Sequence, residues 1–159
     1  MKRNGILNAQ LSGALATLGH TDLVMVVDAG FPIPSTATRV DLAIAEDLPK
    51  LETILDLVSK ELIVEGVFVA EDVVTHNEPL AAFVRTTFPD APLETRTHAD
   101  MLGEMAQRAK VIIRTGAFNP WGNIGLVCGV DVPRWFDEPG VVVPDYYQDR
   151  MNAAQHSTE

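Results

Sequence analysis

Apolar residues recur along this chain at two periods, and the periods alternate. Between residues 9 and 18, Leu11, Ala14, Leu15 and Leu18 stand at i, i+3, i+4 and i+7, the spacing that lines one face of a helix. Asn8 precedes the run and can cap it, and Gly19 follows as a left-handed residue that stops it. "LVMVVD" (23–28) is too short for a helix and rich in β-branched residues, so it predicts a buried strand. "GFPIPSTATR" (30–39) is a loop in which two prolines remove backbone donors, and "VDLAIAE" (40–46) predicts a second strand. Pro49 suits the first turn of a helix, and Leu51, Ile54, Leu55 and Val58 give residues 49–60 a buried stripe. The pattern continues with a strand at 62–71, a helix at 76–88 ended by "FPDAP", a short strand at 93–97 and a helix at 99–109. Two closing strands, 110–116 and 123–130, flank a loop, "AFNPWG". Strands alternating with helices predict a single α/β domain with a largely parallel central sheet flanked by helices.

The tail from Asp131 to Glu159 breaks this pattern. "VPRWFDEPGVVVPDYYQD" mixes prolines with aromatics, and "RMNAAQHSTE" is polar and short of core material. We therefore divide the chain into an α/β domain, 1–130, and a C-terminal extension, 131–159. At 159 residues the length suits one domain with one proper core. The net charge of −10 argues against a nucleic-acid partner, because phosphate neutralisation needs a basic patch. Cys128 is the only cysteine, so no intrachain disulfide can form, as suits a reducing cytosol. "MKRNGILNAQ" has no apolar stretch after its basic residues, so no secretory signal is expected. No apolar run is long enough to span a bilayer, and a cytoplasmic location is expected.

The candidate chemistry lies at the ends of the predicted strands, where α/β folds gather ligands. Asp28 ends a strand; it is either a ligand group or a turn-former that accepts from the following amides. His20 follows a helix stop; it is either a site residue or a surface or satisfied histidine, its charge mildly favoured at the helix C-terminus. His98 opens a helix and Asn123 ends a turn. Trp121 is either a packed aromatic or a platform for a ligand. Sugars offer apolar C–H faces to such rings and hydroxyls to Asp, Asn and His, which is ordinary pocket chemistry. Other chemistries lack their motifs. No Gly-x-Ser-x-Gly elbow is present, and no dinucleotide or phosphate loop. Gly30 stands where one family of phosphoryl-transferring aspartates needs a second Asp. A metal site from His20, Asp28 and His98 has no supporting spacing, so no metal is expected.

Taken together, "GILN" (5–8), "LGHTD" (18–22), "DAGFPIP" (28–34), "TRVDLAI" (38–44), "VEGVFVAED" (64–72), "THNEPL" (75–80), "THAD" (97–100), "IRTG" (113–116) and "WGNI" (121–124) resemble the D-ribose pyranase and L-fucose mutarotase family in order and spacing. The resemblance covers residues 1 to about 130, and His98 and "PIP" lean toward its ribose branch. It implies a homo-oligomeric enzyme, often a decamer, that interconverts ring forms of a free monosaccharide without a cofactor. It implies His20 as the catalytic acid/base. It implies Asp28, His98, Trp121, Gly122 and Asn123 as sugar-binding residues, with Asp28 either orienting His20 or accepting sugar hydroxyls. Trp121 stands where the family usually has tyrosine, and the extension has no counterpart in the short members. The competing expectation is a non-catalytic monosaccharide-binding or regulatory protein on the same fold.

Overall fold

In the computed structural model, residues 1–156 are described, with side chains through Asn152. Six strands form one mixed sheet in the order β2-β5-β1-β6-β3-β4. They are β1 (Leu23–Val27), β2 (Thr38–Asp41), β3 (Val64–Ala70), β4 (Leu93–Arg96), β5 (Val111–Arg114) and β6 (Ile124–Cys128). The pairs β1/β5, β2/β5 and β3/β4 are parallel, and β6 runs antiparallel between β1 and β3. Every residue of β1 is buried, which requires cover on both faces of the sheet. This is the largely parallel α/β domain that the alternating periods predict.

Helix α1 (Ala9–Leu15) starts where Asn8 accepts from the Leu11 amide at 2.8 Å. It ends earlier than the apolar spacing implies, and Gly19 is not its left-handed stop. Thr21 takes that conformation instead, at φ 69°. The reason is tertiary: the Thr21 amide donates to the Cys128 carbonyl at 2.8 Å, which pulls the 19–22 turn onto the end of β6. Helix α2 (Leu51–Ser59) buries Leu51, Ile54, Leu55 and Val58 as its stripe predicts, and Pro49 lies just ahead of it. The segment expected as a strand at 40–46 pairs only through Asp41. Residues 42–48 fold back as a loop, with Ala45 bridging Leu48 and Asp47 donating to the Gly116 carbonyl at 2.7 Å.

The helix expected over 76–88 is two helices. α3 (Glu71–His76) and α4 (Glu78–Thr87) break at Asn77, whose side chain accepts from the Leu80 amide and caps α4. The 99–109 region is one continuous helix, from α5 (His98–Asp100) through a π turn (Met101–Met105) to α6 (Ala106–Arg108). The extension forms α7 (Val132–Trp135), a 3-10 turn (Asp145–Tyr147) and α8 (Gln148–His156). Val132 is its buried anchor. Among the described residues no helix is long and apolar enough to cross a membrane.

Candidate functional site

The topology divides the chemistry between the two ends of the sheet. Because β6 is antiparallel, its first residues lie beside the carboxyl ends of β1 and β3. Asn123 therefore meets Asp28. Its side chain is buried and accepts from the Asp28 amide at 3.2 Å. The Asp28 carboxylate accepts from the Gly30 amide at 2.8 Å through Oδ1, so the turn-former reading is realised. Among the described residues nothing donates to its other oxygen, so the ligand reading stays chemically available.

The ground under this turn is braced. Buried Thr115 donates its hydroxyl to the Val27 carbonyl at 2.8 Å. Arg114 donates to the Ala29 carbonyl at 2.9 Å and to Asp41 at 3.1 Å. Burial works against the Asp41 charge, but bonds from Arg39, the Ala43 amide and Arg114 outweigh it and hold the carboxyl below its ordinary 3.8.

The 117–122 loop carries Trp121 at the same end. Asn77 holds it by donating to Asn119 Oδ1 at 2.7 Å and to the Pro120 carbonyl at 2.9 Å. Trp121 is left-handed, at φ 56°, an uncommon conformation for a bulky residue. Its ring packs on His76 at 5.8 Å between centroids. At Gly122 a Cβ would meet the Asn119 carbonyl at 2.8 Å, so the loop closes only on glycine. His98 follows β4 and opens α5, again at the carboxyl end of the sheet and three strands across from β1. Its Nδ1 is buried with no hydrogen-bond partner among the described residues, a costly state unless a ligand or water meets it.

His20 lies at the opposite end. Strand β1 separates it from Asp28, and five residues at roughly 3.3 Å each put about 17 Å between the two ends. Within one chain, then, Asp28 does not orient His20. Glu65 does: its Oε2 lies 3.0 Å from His20 Nε2. The pairing of β3 with β6 shifts register between Val64 and Gly66, leaving Glu65 as the extra residue. Such a bulge re-aims a side chain, here toward His20. Gly129 leaves room, since a Cβ there would sit 3.1 Å from both the Glu65 Cβ and Oε2.

An ionised carboxylate only accepts, so the Nε2 facing it carries the proton and Nδ1 is left as the basic nitrogen. His20 keeps 30% of its side chain exposed and Glu65 14%, so the imidazole can meet a ligand while its partner is shielded. Asp22 steadies the same turn, accepting from Lys110 at 2.7 Å and from the Gly19 amide at 2.8 Å. These two bonds hold its carboxyl below the ordinary 3.8. Cys128 is buried nearby. Burial, then the charges of Asp22 and Glu65, push its thiol up to about 11, so it stays protonated and unreactive at neutral pH.

Sequence reasoning missed Glu65. Its signal was a carboxylate in the middle of the apolar run "LIVEGVFVA". His20, Asp28 and His98 do not converge in one chain, and among the described residues no cluster of three His, Cys, Asp or Glu could hold a metal.

Comparison with known proteins follows this geometry. The sequence model of the RbsD / FucU transport protein family matches residues 1–131. The chain is 60% identical over 151 residues to "D-ribose pyranase 1" of Streptomyces griseus, covering 95% of this chain and 100% of that protein. It is 56% identical over 154 residues to "D-ribose pyranase 2" of Rubrobacter xylanophilus, covering 97% and 100%. Bacillus subtilis RbsD, solved in complex with D-ribose, superposes with a TM-score of 0.77 at 35% identity, covering 82% of this chain and 98% of that one. The extension therefore has counterparts in the two longer relatives and lies beyond the B. subtilis match.

Proposed function

The chain belongs to the RbsD/FucU family, and from that premise we propose that it is an isomerase that interconverts the ring forms of free D-ribose, with His20 as the acid/base. The observation that carries the substrate is 60% identity to a D-ribose pyranase over that protein's whole length. The chemistry is consistent with the site. The anomeric hydroxyl of the pyranose gives its proton to a base, the bond from the anomeric carbon to the ring oxygen breaks, and that oxygen takes up a proton. Reclosure of the open aldehyde on its other face gives the other anomer, and reclosure through a different hydroxyl gives the furanose. Only protons and one C–O bond move, so the reading calls for no cofactor. His20, with Glu65 on Nε2, can take and return the proton at Nδ1.

The sugar-binding groups in this reading are Asp28, Asn123, His98 and the Trp121–Gly122 turn. A sugar hydroxyl would satisfy His98 Nδ1, and the Trp121 ring would cover a C–H face. They stand at the end of the sheet opposite His20, so a complete site needs two copies, the His20 end of one against the carboxyl end of the next. A contact of this head-to-tail kind repeats until it closes a ring. Apolar side chains exposed on the carboxyl-end loops, Ile44, Leu48 and Phe118, are suited to burial in it.

Saturation-transfer NMR of ribose, with and without the protein, tests the reading directly. Exchange between ring forms should accelerate with the wild type. It should fall by about 10²–10⁴-fold in His20→Ala, the usual worth of general acid–base catalysis. Sugar binding without acceleration would establish the non-catalytic alternative instead.

A further inference from the structure

The extension places a second cation on the carboxylate that holds His20. Arg150, on α8, forms an ion pair with Glu65, its Nη1 lying 2.7 Å from Oε2. That is the same oxygen that lies 3.0 Å from His20 Nε2. The extension also covers the imidazole, with the Trp135 ring standing edge-on to His20 at 6.3 Å and 82°. The guanidinium is itself steadied, lying 5.4 Å over the Tyr147 ring, which packs on Phe136. A carboxylate that bridges an arginine and a histidine is held in place from both sides.

We propose that Arg150 is a positioning residue for the isomerisation: through Glu65 it keeps His20 in the Nε2–H tautomer, with Nδ1 directed to the sugar. The extension is then a working part of the acid/base. The inference rests on the reading of His20 given above. Arg150 and Trp135 lie beyond residue 131, where the family match ends.

The test is ¹⁵N-detected NMR of the His20 ring at a pH where it is neutral, run on the full chain. Wild type should show the Nε2–H tautomer. Arg150→Met should show a mixture of the two, and Arg150→Lys should recover the wild-type pattern. The maximal exchange rate should fall about tenfold in Arg150→Met, part of what acid–base catalysis supplies, with the half-saturating ribose concentration unchanged. Arg150→Lys should return it to within about twofold of wild type, the point charge being retained. Arg150 keeps 41% of its side chain exposed, so its replacement should leave the melting temperature within about 4 °C. An unchanged tautomer in a folded Arg150→Met overturns the inference, as does an unchanged maximal rate when His20→Ala is inactive. A tautomer change together with a fully active His20→Ala would instead overturn the assignment of His20 as the acid/base. The two failures are thus distinguishable.

Discussion

At the scale of single residues, Asp28 carries a turn and a proposed sugar contact, whereas Gly116 carries only a close approach of backbones. Asp28 Oδ1 accepts from the Gly30 amide, and an amide oxygen can accept the same bond. Asp28→Asn should therefore keep the turn and its melting temperature. In the proposed site it removes a charge-assisted bond to a sugar hydroxyl, which is worth about 1 kcal/mol more than a neutral one, so affinity for ribose should fall about fivefold. Calorimetric titration and thermal melting separate the two effects; a large loss of stability at unchanged affinity would reduce Asp28 to a turn-former. Gly116 behaves oppositely. A Cβ there would collide with the carbonyl oxygens of Ala45 and Leu48, and would lie 2.7 Å from the Leu48 amide nitrogen. These are backbone atoms that cannot swing aside. Gly116→Ala should destabilise the fold by about 2–3 kcal/mol, a fall of roughly 5–10 °C in melting temperature, read by thermal denaturation.

At the scale of elements, short turns rather than long helices set the site's geometry. The 19–22 turn is tied to β6 by Thr21 and Cys128 and to Lys110 by Asp22. The Asp22 carboxyl is held below its ordinary 3.8 by the Lys110 and Gly19 bonds. Its folded value is depressed, so the stability it contributes is present above the unfolded value and is lost as pH falls through the folded one. Asp22→Asn should therefore flatten the loss of stability between about pH 5 and pH 2. Urea unfolding across that range checks it, and an unchanged slope would count against the linkage. The β3 bulge is the matching device on the other side of His20. Without the extra residue at 65, the alternation of the strand would not direct Glu65 to the imidazole.

At the scale of the whole molecule, the separation of His20 from Asp28 makes a statement about assembly. If each site takes His20 from one copy and Asp28 from the next, a variant without the acid/base and one with weakened sugar binding, assayed below its half-saturating ribose concentration, should repair one another. Dissociating and mixing equal amounts of His20→Ala and Asp28→Asn should regenerate roughly a quarter of the wild-type sites, by random pairing across a head-to-tail contact. Exchange NMR on the mixture reads this out. No recovery from a mixture shown to have exchanged subunits would mean that one copy does the chemistry alone. Light scattering gives an independent check: a stable 17.3 kDa species that remains active on dilution would rule out the shared site.

Much of this protein follows from local rules. The period of apolar residues sets the strands, the α2 stripe and the α/β class, because burying a face demands that spacing wherever the segment ends up. The Asn8 cap and the Asp28 turn are equally local, each a side chain bonding an amide two or three residues on. Chain order and motif spacing were enough to name the family and to nominate His20, Asp28, His98 and the 121–123 turn as candidate residues. Other features depend on contacts between segments far apart in sequence. The 42–48 loop folds back onto Gly116 instead of extending β2, and Thr21 rather than Gly19 takes the left-handed turn because Cys128 claims its amide. The antiparallel direction of β6 brings Asn123 to Asp28 across a separation of 95 residues. The bulge at Glu65 and the return of α8 supply His20 with a carboxylate 45 residues away and an arginine beyond it. No local pattern encodes these partners, because each bond forms only once the sheet order has placed its two ends together.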